Sequence, residues 1–209
     1  MVGTCLLAGS VLALVVLGVA GFLDARFREI DPEIWYGPLL LALPIGACHA
    51  LSTAGPAASV FYVSGLMLWL VMFGLYLYGM MGGGDVFATL LLVLSLPAPP
   101  RVEPPLGFVP PVLVVLLLAS LMGLMYRVWR VSRVVGFRRA LTGLELELEP
   151  RRLLEDPVLL WWVPRGVGVE EEWSWELAGA KGRVRAGPGT PLITFMALAL
   201  AVYLLVFAL

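Results

Sequence analysis

Long apolar runs alternate with short polar breaks along most of the chain. Thr4 to Leu23 holds 20 residues without a charge, enough for one membrane-spanning helix. Asp24 to Trp35 follows as a short charged loop with an aromatic at its exit. Tyr36 to Leu51 reads as a second span, interrupted by Pro38 and Pro44. An uncharged loop, Ser52 to Ala58, leads to a third span over Ser59 to Met81. Three glycines and a carboxylate, Gly82-Gly83-Gly84-Asp85, open a fourth run that ends at Leu96. Asp85 to Leu96 is 12 residues, or about 18 Å of helix, against a hydrocarbon core of about 30 Å. Either this helix extends through Pro97-Ala98-Pro99-Pro100, or it begins below the membrane surface. A Pro-rich connection, Pro97 to Pro105, precedes a fifth span over Leu106 to Tyr126, and Pro191 to Leu209 is a sixth.

Arg127 to Gly189 is the polar exception. Its roughly 60 residues suffice for a small subdomain but hardly a large core. Leu144 to Glu149 alternates Leu and Glu with the period of a half-buried strand. Val158 to Val163, with Trp161 and Trp162, suits a second strand, and Glu170 to Glu176 is an acidic, aromatic patch suited to a solvated or interfacial face. The pattern therefore predicts an all-α polytopic membrane protein of six transmembrane helices. A small α+β subdomain lies between helices 5 and 6. Residues 1–126 carry the first five helices, 127–189 the polar subdomain and 190–209 the sixth helix.

Composition agrees: 60% of the 209 residues are hydrophobic and 14% charged, and the mean hydropathy is +0.94. A net charge of −1 speaks against a nucleic-acid partner. Cys5 and Cys48 lack metal-ligand spacing and read as small buried hydrophobes, with no disulfide framework expected. A lone His49 cannot build a histidine-based metal site and reads as structural or interfacial. The absence of Asn and Gln is a hint of heat adaptation or of biased base composition. The first span lacks the basic flank of a signal peptide. Basic residues give an orientation: of the 14 Lys and Arg, all but Arg101 fall in the loop after span one or in the region between spans five and six. Those loops, and the glycine turn with them, are then cytoplasmic.

That orientation brings Asp24 and Asp85 to the same face of the membrane, at the ends of two different helices. A carboxylate in such a setting is costly unless it meets water or a polar partner. The plain alternatives are a helix N-cap for Asp85 and an ordinary helix-end residue for Asp24. If the two approach, like charges cannot both ionise, and the pair shares one proton and titrates as a unit. One carboxylate can then take a proton from water while the other donates to a scissile carbonyl. Glycines beside Asp85 permit a tight turn and close approach of another backbone.

Gly82-Gly83-Gly84-Asp85 matches the Gly-x-Gly-Asp motif of intramembrane aspartyl proteases. The loop Asp24-Ala25-Arg26-Phe27-Arg28-Glu29-Ile30-Asp31-Pro32-Glu33-Ile34-Trp35 resembles the Asp-x-x-x-Arg-x-Ile/Val stretch, ending in Trp, of archaeal preflagellin and class III prepilin peptidases. Asp85 through Pro100 resembles that family's second-aspartate helix, and Gly187 to Ile193 its Pro-Gly-x-Pro lead-in to the last helix. Phe87 departs from the small or basic residue expected there. The Cys-x-x-Cys pairs and large methyltransferase region of the bacterial bifunctional members do not occur, which favours the archaeal, protease-only branch.

The resemblance implies removal of basic class III signal peptides from archaellin or pilin precursors, just before the precursor's hydrophobic helix, at the cytoplasmic face. It implies Asp24 and Asp85 as the catalytic pair, with no metal or organic cofactor. Gly82 and Gly84 would shape the turn around Asp85, and Glu29 and Glu33 would hold the basic leader. The implied partners are such precursors and membrane lipid, and a homo-oligomer is left open. Two other classes fit the bare pattern: a proton- or cation-coupled transporter using both aspartates, against which no inverted repeat is visible, and a non-catalytic assembly factor whose Arg-rich region binds a partner or anionic lipid.

Overall fold

The structure, a computed structural model, describes residues 2–27, 30–52, 56–78, 81–96, 109–137, 140, 146–149, 162–164, 184–188 and 191–207. Among them are six long helices: α1 (Val2–Phe27), α2 (Glu33–Ser52), α3 (Pro56–Leu77), α4 (Gly83–Ser95), α5 (Pro111–Val135) and α6 (Leu192–Phe207). Four contain stretches long and apolar enough to cross a membrane: Gly3–Arg26, Glu33–Leu51, Val60–Leu77 and Pro111–Val135. α4 and α6 are apolar but shorter, at 13 and 16 residues. Six helices are therefore present among the described residues, but length alone supports four spans.

The chain divides into two compact units, 1–120 with 191–209, and 121–190. In the first, α4 is the central element and packs against α1, α2, α3 and α6. Seven of its residues, from Val86 to Ser95, are buried. α6 buries Ile193, Met196, Ala199, Leu200 and Tyr203, a stripe at helical spacing. α1 answers with small residues, Ala13 and Ala20 beside Leu17, as membrane helices do where they approach closely. In the second unit, three short strands form an antiparallel sheet in the order β1 (Leu146–Leu148), β3 (Val184–Pro188), β2 (Trp162–Pro164). β1 lies inside the alternating Leu-Glu stretch, and β2 overlaps the second expected strand by two residues. β3 was not expected. The Glu170 to Glu176 patch lies outside the described residues.

Several boundaries differ from the hydropathy reading. α1 continues through Asp24 to Phe27, so Asp24 is in a helical turn and not in a loop. α2 begins at Glu33, ahead of Tyr36, because Asp31 caps it: its Oδ1 accepts from the Glu33 N–H at 2.9 Å, and Pro32 starts the first turn. α5 begins at Pro111 and runs into the Arg-rich region as far as Val135, where Arg133 lies over the Trp129 ring at 5.2 Å.

α4 stops at Ser95, before the proline run, with the Leu96 N–H closing on the Leu92 carbonyl. Its last residues each meet a glycine from a different helix. A Cβ built on Gly46 of α2 would lie 2.8 Å from the Leu94 oxygen, one on Gly65 of α3 would lie 3.2 Å from Val93, and one on Gly9 of α1 would strike the Ser95 carbonyl. Ser95 is thus level with Gly9, about 10 Å along α1 from its start. The short helix falls short at this end.

Cys5 and Cys48 correct the expectation of separate buried hydrophobes. They are half-buried and joined by a disulfide between α1 and α2, with Cα atoms 6.5 Å apart. The pairing depends on antiparallel docking of two helices, which a spacing of 43 residues does not display. Nearby, His49 is buried, and the structural reading of it fits: the Tyr62 hydroxyl donates to the Gly46 carbonyl at 2.7 Å, and His49 Nδ1 lies 3.2 Å from the same hydroxyl. With the hydroxyl proton used on Gly46, the histidine is the donor to Tyr62.

Candidate active site

Asp85 sits in the first turn of α4, three residues after the N-cap, Gly82. It is not itself the cap. Its carboxylate instead reaches back to the Gly82 backbone N–H, the geometry by which an acidic residue in this position satisfies a helix's first donors. The partial positive charge of the helix start adds to this. Gly82 is extended, at φ −76° and ψ 148°, a conformation open to any residue. What its missing side chain provides is space, since a Cβ there would lie 3.6 Å from Asp85 Oδ2. At Gly84 a Cβ would come within 2.9 Å of Ile193 Cδ1, so a larger residue there would displace the end of that side chain. The glycines therefore serve packing and access around Asp85; neither Gly82 nor Gly84 takes a positive φ.

Asp24 is in the last turn of α1, where an acidic side chain opposes the helix dipole by roughly 0.3–1 kcal/mol. A helix-stabilising role does not explain it there. The residue is half-buried, and its Oδ2 is fully covered. The packing of α1 on α4 brings it close enough to Asp85 for the two carboxylates to interact electrostatically. Two helix ends that are far apart in sequence thus bring two carboxyls within electrostatic range of each other.

Of the other residues expected here, Glu33 is exposed at the start of α2, with its backbone N–H engaged by Asp31. Glu29 lies outside the described residues. The surrounding frame includes groups that hydropathy did not single out for the site. Trp35 is fully buried and stacks on Phe87, with centroids 6.4 Å apart, while Tyr36 meets the same ring edge-on at 6.5 Å. Phe87, a departure from the family pattern, therefore seats α2 on α4 directly beyond Asp85. Tyr76 lies beside Gly83, at 3.5 Å from a Cβ built there. Thr89, one turn further along α4, is fully buried and donates to the Asp85 carbonyl at 2.8 Å. Ile193 and Thr194 of α6 touch both aspartate-bearing helices. The signals for these in the sequence were the Trp at the end of the loop, the stretch after Asp85 that holds Phe87 and Thr89, and the Pro-Gly run before α6.

Phe87, Leu90 and Leu94 form the part of α4 beyond Asp85 that is incompletely covered among the described residues. Leu90 and Leu94 face Tyr36, Leu39, Leu40 and Leu43 of α2 across an apolar groove. The site is therefore a pair of carboxyls at one end of a helix bundle with glycines beside Asp85, and the apolar groove lies further along α4, from Leu90 to Leu94. It suits acid–base chemistry on a substrate that lies partly in the membrane. No curated protein and no solved structure matches the chain. A family model described as the type IV leader peptidase family matches residues 11–128, a segment that includes Asp24, Asp85 and all of α2 to α4. The chain belongs to the type IV leader peptidase family, and is a multi-pass membrane peptidase.

Proposed function

We propose that this peptidase is an aspartyl endopeptidase that removes class III signal peptides from archaellin or pilin precursors at the cytoplasmic face of the membrane. The observation that carries this reading is the electrostatic interaction of Asp24 on α1 with Asp85 on α4. Of such a pair, the ionised carboxylate takes a proton from water as that water attacks the scissile carbonyl. The protonated carboxyl donates to the carbonyl oxygen. The C–N bond of the resulting tetrahedral intermediate then breaks, with the proton passing to the leaving nitrogen. In this reading residues 1–126 and 190–209 form six membrane helices and 127–189 a cytoplasmic α+β subdomain. The apolar groove along Leu90 and Leu94 supports a substrate whose cut lies at the start of a hydrophobic segment. Exposed Glu33, together with Glu29, would hold the basic residues of the leader.

The test is cleavage of an archaellin or pilin precursor with a basic leader, in membranes holding equal amounts of wild type, Asp24→Asn or Asp85→Asn. Each substitution keeps the volume of the side chain and removes its proton chemistry. The expected loss is about 10²–10⁴-fold or more for either variant. Turnover that survives either change would sink the paired-carboxylate mechanism. No turnover by wild type on several such leaders would remove the substrate assignment. For the leader contacts, Glu33→Ala and Glu29→Ala should raise KM for a basic leader and leave KM for a neutralised leader unchanged. Equal effects on both leaders would dismiss that role.

A further inference from the structure

Two adjacent residues at the start of α6 touch both aspartate-bearing helices. Thr194 Oγ1 donates to the Gly21 carbonyl of α1 at 2.6 Å, across 173 residues of sequence. A Cβ on Gly21 would lie 2.9 Å from the Thr194 Cα and 3.3 Å from the Ile193 carbonyl oxygen, so the two backbones meet here with no side chain between them. Gly21 precedes Asp24 by three residues and therefore shares its helix face. On the other side, Ile193 is 4% exposed, and its Cδ1 fills the space over Gly84, the residue before Asp85. The Ile193–Thr194 backbone thus rests on α1 while the Ile193 side chain reaches α4, at points close to the two aspartates in sequence.

We propose that Ile193 and Thr194 are positioning residues that set the separation of the Asp24 and Asp85 carboxyls. This rests on the aspartyl peptidase reading and adds to it what holds the pair in register. Thr194 ties α6 to α1 by a directional bond. Ile193 presses α4 outward from the same point. Interiors packed at native density do not deform continuously, so the wedge transmits its thickness to the pair. Loss of the hydroxyl loosens one side, and loss of the Ile branch lets α4 settle inward.

The experiment measures precursor cleavage by wild type, Ile193→Ala, Ile193→Val, Thr194→Val and Thr194→Ser across a pH series, with folded protein quantified in each membrane preparation. A displacement of about 1 Å at reacting groups costs on the order of 10²-fold. Thr194→Val and Ile193→Ala should lower kcat by roughly 10- to 100-fold. They should also change the width of the bell-shaped pH profile. The width reports how strongly the two carboxyls repel, and repulsion varies with their distance. Thr194→Val should narrow the bell as the pair separates, and Ile193→Ala should widen it as the pair closes. Ile193→Val should do so more weakly than Ile193→Ala, and Thr194→Ser, which keeps the hydroxyl, should match wild type. Among the described residues, the other charged or titratable groups at this end of the packed elements are Arg26 on α1, Asp31, Glu33 and Tyr36 at the start of α2, and Tyr76 and Tyr78 at the end of α3. α6 brings none to this end, so the substitutions leave that set intact. A loss of rate that only tracks the amount of folded protein, with bells of unchanged width, would overturn the inference and leave the aspartyl reading standing. An inactive wild type would remove both.

Discussion

Gly9, Gly46 and Gly65 stand in three different helices, and each admits one residue of the last turn of α4. Their contribution lies in the absent side chain. Gly9→Ala or Gly46→Ala drives a methyl into a backbone carbonyl, and overpacking of this kind costs about 1–3 kcal/mol. Gly18 of α1, by contrast, has open space where its Cβ would be. Gly18→Ala should be neutral or slightly stabilising, since Ala favours a helix by up to about 1 kcal/mol. Thermal midpoints in detergent, lowered by the first two changes and not by the third, check this. At Asp24 and Asp85 the proposed mechanism needs one carboxyl ionised and one protonated. Cleavage should fall at low pH, where the base is protonated, and at high pH, where the acid is ionised; a pH–rate series that rises to a plateau on either side would contradict a shared role. The two aspartates and the glycines Gly82, Gly83 and Gly84 were legible in the sequence because a charge beside an apolar run is costly. Gly9, Gly46 and Gly65 were not, because a glycine's importance there depends on which neighbour it faces. Gly82 drew notice as a turn residue, yet it holds an ordinary extended conformation.

At the level of single elements, α2 and α4 meet through an aromatic seam, Trp35 on Phe87 with Tyr36 at its edge. Trp35→Ala leaves a void in a fully buried place, which costs about 3–5 kcal/mol in soluble cores. It should lower the thermal midpoint far more than Tyr36→Ala, because Tyr36 is 55% exposed. Comparable effects of the two would show that the seam does not hold α2 in place. Helix starts and stops were partly readable. The proline run after Leu96 marked one possible end for α4, whereas Asp31-Pro32, read as loop, concealed the start of α2 ahead of Tyr36. The last turn of α1 was hidden, because Asp24 and Arg26 look like loop when hydropathy alone is weighed. β3 was hidden for another reason. Its pairing with β1 and β2 comes from partners tens of residues away, and Val184 to Pro188 carries little alternation of its own.

For the molecule as a whole, charge and disulfide chemistry support one orientation from independent grounds. In the proposed orientation, the distribution of basic residues puts the Asp24 side in the cytoplasm. Cys5 lies 19 residues before Asp24 in the same helix, or about 28 Å at 1.5 Å per residue. That is close to the thickness of the hydrocarbon core. In that proposed orientation the Cys5–Cys48 bond falls at the opposite face, where disulfides form and persist. In sealed cells, a membrane-impermeant thiol reagent should label both cysteines from outside only after reduction. A cysteine placed at Glu33 should be reached only after the membrane is opened. Labelling of the native cysteines without reductant would remove the bond, and labelling at position 33 from outside would reverse the orientation.

The disulfide and the three glycine contacts all lie at the end of the bundle away from the carboxyls. α1, α2 and α4 are consequently clamped like tongs at the handle, with Asp24 and Asp85 at the jaws. Along α1 the handle stands roughly 22–28 Å from Asp24, and along α4 about 15 Å from Asp85. Cys5–Cys48 therefore steadies the handle and leaves the jaws to α6 and the aromatic seam.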